Sequence, residues 1–364
     1  MLRSLKSAAL EIARGLGLFA AVAHSRWRRS RLLILCYHGI SLKDEHEWRS
    51  LFVTPAFFRR RLEILARRGY RVLPLGDAVR MLREGSLPPK SVVITFDDGY
   101  HDFHLHAFPL LREFGFPATV YQSTYYCDYP FPVFNLVLSY LFWRGGGGRR
   151  GGGGQRGGGD LPGGGDGRGA PRVLDGAAYG VPGTFDLSGD EGRSRAVDAV
   201  LEFARGQKYT PAQKDALAAR IAGDLGVDYA GILRLRMLQL MTASQISEIA
   251  AAGIDVQLHT HRHRTPLDER LFVREIRDNR EWLEARTGTR TEHFCYPSGQ
   301  YRAEFLPWLR AERVVSATTC DYGLATRATE PLLLPRLLDS MSVTDVDFEG
   351  WLAGVSALLP HRRV

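Results

Sequence analysis

The chain has 364 residues, 45% of them hydrophobic, and a net charge of +8. That is apolar material for one domain of barrel size with additions. The positive charge, carried mostly by arginine, suits acidic glycans or an anionic membrane surface, whereas nucleic acid is set aside because no helix-turn-helix, finger or stacking motif appears.

Residues 1–30 form a basic amphipathic segment. Leu2 to Ala23 mixes apolar residues with Arg3, Lys6, Glu11 and Arg14, and Arg26-Trp27-Arg28-Arg29 follows. Its longest uncharged run, Gly15 to Ala23, is too short to span a bilayer. Charges also interrupt the layout of a signal peptide. A helix packed on the outside of the fold is favoured over a helix lying on a membrane surface.

Residues 31–345 alternate β and α patterns, which implies a parallel sheet. Leu32 to Ile40 reads as a strand ending at His38. Thr54-Pro55 opens a helix whose Phe58, Leu62 and Leu65 recur at helical spacing, and Gly69 closes it. A short strand at Leu73 precedes a helix through Val79 and Leu82 to Gly85. The run Val92-Val93-Ile94-Thr95-Phe96 reads as a buried strand, followed by a helix ending at Gly115 and a strand over Pro117–Tyr121. The alternation stops over 124–241, read as a helical insert. There Phe131 to Trp143 is strongly apolar, 144–169 is Gly- and Arg-rich and expected to be disordered, and 193–226 predicts two amphipathic helices, the second opened by Thr210-Pro211. A capping box, Thr242-x-x-Gln245, restarts the pattern with a helix ending at Gly253. Strands at Ile254–Leu258, Phe294, Val314–Ala317 and Leu332–Pro335 follow, with helices over Leu267–Thr287 and Phe305–Arg313. Residues 346–364 form a C-terminal helix and tail.

Two places carry chemistry. The Val92 strand ends in adjacent carboxylates, Asp97 and Asp98, then Gly99. Acids at the carboxyl end of a buried strand sit where α/β folds keep their active sites. Their mutual repulsion and desolvation call for a metal or a shared proton nearby. Downstream, His259-Thr260-His261-Arg262-His263 follows a second strand. If the chain turns helical there, His259 and His263 lie on one face and grip one ion. Asp98 with His259 and His263 makes a two-histidine, one-carboxylate set with open positions, suited to Zn²⁺ or another borderline divalent metal, Co²⁺ or Ni²⁺ included. His261 alternates away and is left unassigned; His101, His104 and His106 are placed on the helix towards Leu111 rather than on a metal.

These segments resemble the polysaccharide deacetylases, carbohydrate esterase family 4, which share the NodB homology domain. Thr95-Phe96-Asp97-Asp98-Gly99 is similar to the family's first motif, and His259-Thr260-His261-Arg262-His263 to its His-Ser/Thr-x-x-His motif. Phe294-Cys295-Tyr296-Pro297-Ser298-Gly299 is similar to its aromatic-Pro-Tyr-Gly motif. The resemblance implies a distorted (β/α) barrel, interrupted by the helical insert. It implies a metal-dependent hydrolase removing N-acetyl groups from an N-acetylglucosamine-type glycan. Asp97 becomes the catalytic base and Asp98, His259 and His263 the ligands of a divalent metal, with the backbone N–H of Ser298, beside Tyr296 and Pro297, holding the oxyanion.

The chain departs from that pattern in three places. No Leu-x-His motif supplies a general acid near the C-terminus, so His38 takes that role, as in a permuted branch typified by poly-N-acetylglucosamine deacetylases. The arginine that in the family precedes the third motif's proline and pairs with the base is missing, and Arg336 is the substitute, aimed into the barrel mouth and grouped with Ser298, Tyr296 and Pro297 on the oxyanion and substrate side. The fourth motif is matched only by Asp321-Tyr322. The four cysteines show no paired spacing, which points to a reducing compartment, hence a cytoplasmic chain with peripheral contact at the inner membrane face as an extension. Competing readings are a non-catalytic glycan-binding protein on the same fold and a hydrolase of another amide or an O-acetyl ester.

Overall fold

The computed structural model describes residues 2–147 and 173–358, with the side chains of 2–7 left aside. The described residues fall into two compact units, one drawn from within 1–41, 50–128 and 240–364, the other from within 42–49 and 129–239. Most of the Gly- and Arg-rich segment expected to be disordered, from residue 148 on, lies outside the described residues, as does the tail beyond 358.

The first unit is a closed barrel of seven parallel strands: β1 Arg31–Tyr37, β2 Ser91–Phe96, β3 Thr119–Gln122, β4 Asp255–Leu258, β5 His293–Cys295, β6 Ser316–Tyr322 and β7 Leu334–Leu338. Each strand pairs with the next in chain order, and β7 returns to β1 through Leu35 opposite Leu337 and Cys36 opposite Leu338. The β1–β2 seam runs over five registered pairs, from Leu33 with Val92 to Tyr37 with Phe96. Burial on both faces explains why these strands read as nearly unbroken apolar runs. All six residues of β2 are buried. Short two-residue strands at Arg71–Val72 and Ala325–Thr326 extend the sheet beside β2 and β1.

The helices follow their sequence signals. Pro55–Arg67 begins at Thr54, whose hydroxyl accepts from the Phe57 N–H. Leu75–Glu84 stops at Gly85, which takes φ 76°. Ala243–Ala251 carries the complete Thr242/Gln245 capping box. Leu75, Ala78, Val79 and Leu82 bury one helical face against Leu32, Ile34 and Val93 of the barrel. Each of the leucine, valine and isoleucine side chains stabilises the fold by about 1.5–3 kcal/mol. At the N-terminus, helices Leu2–Gly15 and Leu18–His24 pack Leu10, Phe19 and Ala23 against Val346 and Ala353 of helix Asp345–Ala353. Buried Arg28 ties this region to the barrel by donating to the carbonyls of Leu352, Arg31 and Ser91 at 2.9, 2.6 and 3.3 Å. No helix of the described residues is long and apolar enough to cross a membrane.

The second unit is mostly helical, with one antiparallel pair of short strands, Val173–Asp175 and Thr184–Asp186. Helix Phe134–Gly145 is apolar on all sides and almost wholly buried, and it packs with helices Asp190–Gly206 and Pro211–Asp224. The unit also takes in Leu42–Arg49, which the sequence reading left with the barrel. The reason is local: the Tyr140 hydroxyl donates to Asp44 at 2.6 Å and its ring meets Trp48 edge-on.

One buried ion pair pins the barrel's carboxyl end. Asp339, just past β7, accepts from Arg61 at 2.9 Å and from the Tyr37 hydroxyl at 2.9 Å, and both Arg61 and Asp339 are fully buried. Removing one partner leaves the other charge without compensation. Arg61→Met is therefore expected to lower stability by about 3–5 kcal/mol in urea denaturation, whereas Arg59→Met, which breaks a solvent-exposed pair with Glu113, is expected to leave the urea midpoint nearly unchanged.

Candidate active site

The strand β2 delivers Asp97 in register, its N–H donating to the Tyr37 carbonyl at 2.9 Å. The chain then bends sharply. Asp98 takes φ 69° and Gly99 φ 77°. A positive φ is costly for aspartate and persists only where the surroundings impose it. Here the imposing contacts are Gln122 Nε2 and the Ser123 N–H, which donate to the Asp98 carbonyl at 3.1 and 3.3 Å. Gly99 is required because a Cβ would come within 1.9 Å of Gln122 Oε1. The bend sends the two neighbouring carboxylates to different partners.

Asp98 meets both histidines of the second motif. Its Oδ1 lies 3.2 Å from His259 Nε2 and 3.0 Å from His263 Nε2. The histidines do not share a helix face, which corrects the expectation of a helical turn. Residues 259–263 form a loop, with Thr260 at φ 61° and His263 at φ 51°. Two residues of helix Glu269–Thr287 set that path. Buried Glu275 accepts from the Arg262 N–H at 2.7 Å and from the Arg264 guanidinium at 2.7 Å. Buried Asn279 accepts from the His259 N–H at 2.9 Å and donates to Thr124 and the Gln122 carbonyl, both at 3.0 Å. Neither was singled out from sequence. The available signal was two polar residues, four apart, on the same helical face as Phe272, Ile276 and Leu283.

The donor chemistry fits a divalent metal. His259 Nδ1 lies 2.8 Å from the Cys295 carbonyl, which can only accept, so Nδ1 carries the proton and Nε2 offers a lone pair. In the neutral ring that lone pair would face a carboxylate, so either a second proton, which the raised pKa of His259 favours, or a metal ion lies between them. Asp98, His259 and His263 place one donor atom each within 4.8 Å of one another. Burial alone would raise the Asp98 carboxyl, but the neighbouring His263 and His259 outweigh it and hold it well below the ordinary range.

Asp97 turns inward to a different cation. Burial would raise its pKa, but Arg336 outweighs that and holds it far below the usual carboxylate value. Arg336 forks onto both carboxylate oxygens at 2.7 Å, and both side chains are almost completely buried. Arg336 therefore holds Asp97, which takes it away from the oxyanion and substrate side. His38, past the end of β1, places Nε2 3.8 Å from Asp97 Oδ2, and burial pushes its pKa below 6.5. Two further groups of donors include Asp97, one with Cys36 and His38 and one with His259 and Cys295. Arg336 already occupies both Asp97 oxygens there, which disfavours a second cation.

The third motif divides in two. Ser298 takes φ 57° beside Gly299 at φ 66°, and Gly299 abuts Cys320 so closely that a Cβ would come within 2.8 Å. Pro297 and Ser298 line a cleft of about 370 Å³ that also presents His263, Thr265, Pro266 and Leu271. Tyr296 does not line it. Its ring is 1% exposed and its hydroxyl donates to the Leu332 carbonyl at 3.0 Å, which corrects its assignment to the substrate face. Asp321 accepts from the Tyr301 hydroxyl at 3.0 Å. His104 lies 2.9 Å from Glu248, and His101 lies 3.0 Å from the Gln245 amide, and neither belongs to the donor group of Asp98, His259 and His263.

A family model described as polysaccharide deacetylase matches residues 84–132 and 207–313. The chain is 38% identical over 94 residues to the putative polysaccharide deacetylase YxkH of Bacillus subtilis, covering 26% of this chain and 32% of that protein. It is 30% identical over 98 residues to the poly-beta-1,6-N-acetyl-D-glucosamine N-deacetylase of Escherichia coli K12, covering 27% of this chain and 14% of that protein. The chain thus spans a third or less of the length of these two relatives. Among solved structures, the Streptococcus pyogenes deacetylase PplD in complex with acetate superposes with TM-score 0.55 at 18% identity, covering 91% of this chain and 99% of that one. IcaB from Ammonifex degensii superposes with TM-score 0.54 at 16% identity, covering 89% and 97%. At these identities the structural likeness establishes the barrel.

The depressed Asp97 carboxyl contributes stability above the unfolded carboxyl value of about 4 and loses it as pH falls below that. Without the guanidinium, burial raises that carboxyl instead. Arg336→Met is therefore expected to be less stable than the parent by about 3–5 kcal/mol at pH 7, with the gap already narrowing above about 4, where the raised carboxyl of the variant takes up its proton, and narrowing further below it. Urea titrations across pH check this; a pH-independent gap would show that the pair does not carry the effect.

Proposed function

The chain contains a polysaccharide deacetylase domain of the NodB type, and we propose that it hydrolyses the N-acetyl group of an N-acetylglucosamine-type glycan, releasing acetate and a free amine. One observation carries the reading: an aspartate held outside the metal-donor set, yet with a carboxylate oxygen within 4.8 Å of a His259 ring nitrogen. Hydrolysis of an amide needs that separation, since one carboxylate must anchor while the other accepts a proton. The glycan class is supported by the relatives named as poly-beta-1,6-N-acetyl-D-glucosamine N-deacetylases.

Asp98, His259 and His263 would hold a divalent cation, Zn²⁺ or else Co²⁺ or Ni²⁺, which when bound polarises the acyl carbonyl and acidifies a water. Asp97 accepts the proton of the attacking water, ionised for that task by Arg336. The Ser298 N–H binds the developing oxyanion at the edge of the cleft. His38 passes a proton to the departing amine, and its burial makes its protonated form a readier donor.

The test is acetate release from N-acetylglucosamine oligomers and, in parallel, from O-acetylated glycans, using protein loaded with Zn²⁺, Co²⁺ or Ni²⁺. Asp97→Asn and His38→Ala are expected to lower kcat by roughly 10²-fold or more with metal content intact. Asp98→Ala is expected to lose the metal. Release from O-acetyl esters alone would replace the amide reading, and full activity in His38→Ala would remove its role as acid.

We also place this chain against an anionic membrane surface. Ile12, Leu16 and Leu18 are 64%, 73% and 48% exposed around the turn between the first two helices, and Arg26 and Arg29 are exposed just beyond them. Apolar side chains with adjacent arginines match the boundary between acyl chains and acidic headgroups. Co-sedimentation with phosphatidylglycerol vesicles is expected at low salt, lost in Leu16→Glu/Leu18→Glu and absent with phosphatidylcholine alone. Equal binding by the double variant would refute the contact.

A further inference from the structure

Asp97 is held by more than arginine. Cys36, near the end of β1, and Cys295, the last residue of β5, come from different parts of the strand order. Their sulfurs converge on the same carboxylate oxygen, Asp97 Oδ2, at 3.5 and 3.4 Å. Arg336 Nη2 reaches that oxygen at 2.7 Å and the Cys295 sulfur at 3.2 Å. Both thiols are buried, at 1% and 0% exposure.

We propose that Cys36 and Cys295 are positioning residues that fix the orientation of the catalytic carboxylate through S–H···O hydrogen bonds to Asp97 Oδ2. The inference rests on the reading of Asp97 as the base. Bonding chemistry sets the direction of the contacts. A guanidinium only donates and an ionised carboxylate only accepts. A thiol wedged between them therefore accepts from Arg336 and donates its own hydrogen to Asp97. Cys36 faces the same oxygen, with the Tyr37 carbonyl at 3.9 Å and His38 Nδ1 at 4.0 Å as its longer contacts. Buried away from water, both thiols keep the hydrogen that the contact needs.

The thiols do something the arginine fork cannot. A single fork leaves the carboxylate free to rock out of the guanidinium plane, whereas two donors arriving from separate strands restrain it. A thiol is also a weak donor. It orients the carboxylate while withdrawing less electron density than a second cation or a row of amide N–H groups would. Cys295 links both halves of the site, because its carbonyl orients His259 while its side chain orients Asp97.

Two measurements on the full-length, metal-loaded protein test this. Infrared S–H stretching bands, assigned by their loss in Cys36→Ser and Cys295→Ser, are expected at the low frequency of hydrogen-bonded thiols and to move towards the free-thiol position in Asp97→Asn. In kinetics, Cys36→Ala and Cys295→Ala are each expected to lower kcat by roughly 10-fold, a fraction of the general-base contribution, with KM and metal content unchanged. Cys295→Ser, which keeps a donor, is expected to stay within about threefold of the parent by the same scale. Bands at the free-thiol position, or parental kcat in Cys36→Ala/Cys295→Ala, would overturn the proposal. If no protein releases acetate from any glycan, the deacetylase reading fails while the infrared shift still decides whether the thiols bind the carboxylate.

Discussion

The structure turns on the separation of two carboxylates that are adjacent in the chain. Asp97 and Asp98 leave the same strand at the same end of an apolar barrel, where neither can stay ionised without a compensating charge. The left-handed bend at Asp98 resolves this by sending one inward to Arg336 and the other to His259 and His263. The bend is an unfavourable backbone state, sustained because Gln122 and Ser123 hold the Asp98 carbonyl and Gly99 clears the space beside Gln122. The separation of the two carboxylates onto different partners is thus already present in the backbone.

The same economy governs the histidine loop. Its two ligand candidates are aligned through buried polar residues on one helix, with Asn279 holding the backbone at His259 and Glu275 holding the backbone and side chains that lead to His263. Left-handed residues recur here at Thr260 and His263, and again at Ser298 in the third segment. The acid-pair, histidine and third-motif segments therefore each pass through a left-handed turn at the site, a way to keep a set of groups preorganised.

Closure of the barrel gives the order of the parts its meaning. Because β1 pairs with both β2 and β7, the earliest strand stands beside the strand bearing the acid pair, and His38 arrives next to Asp97 without any C-terminal motif. β7 contributes Arg336 from its interior, in place of the arginine absent near Pro297. The separate helical unit gathers Leu42–Arg49 to itself through Asp44, Trp48 and Tyr140.

Short-range physics was legible in the chain alone. Apolar runs marked the strands, Thr54-Pro55, Gly85 and the Thr242/Gln245 box marked helix ends, and the acid and histidine segments marked where the chemistry gathers, because each of these preferences is satisfied by a few neighbouring residues. Which side of the barrel Tyr296 faces, the loop that replaces a helix at His259–His263, the tasks of Asn279 and Glu275, and the meeting of Cys36 with Cys295 on one oxygen were decided only by the tertiary structure. Those contacts join residues tens to hundreds of positions apart, and their geometry follows from strand register and barrel closure, which no local pattern encodes.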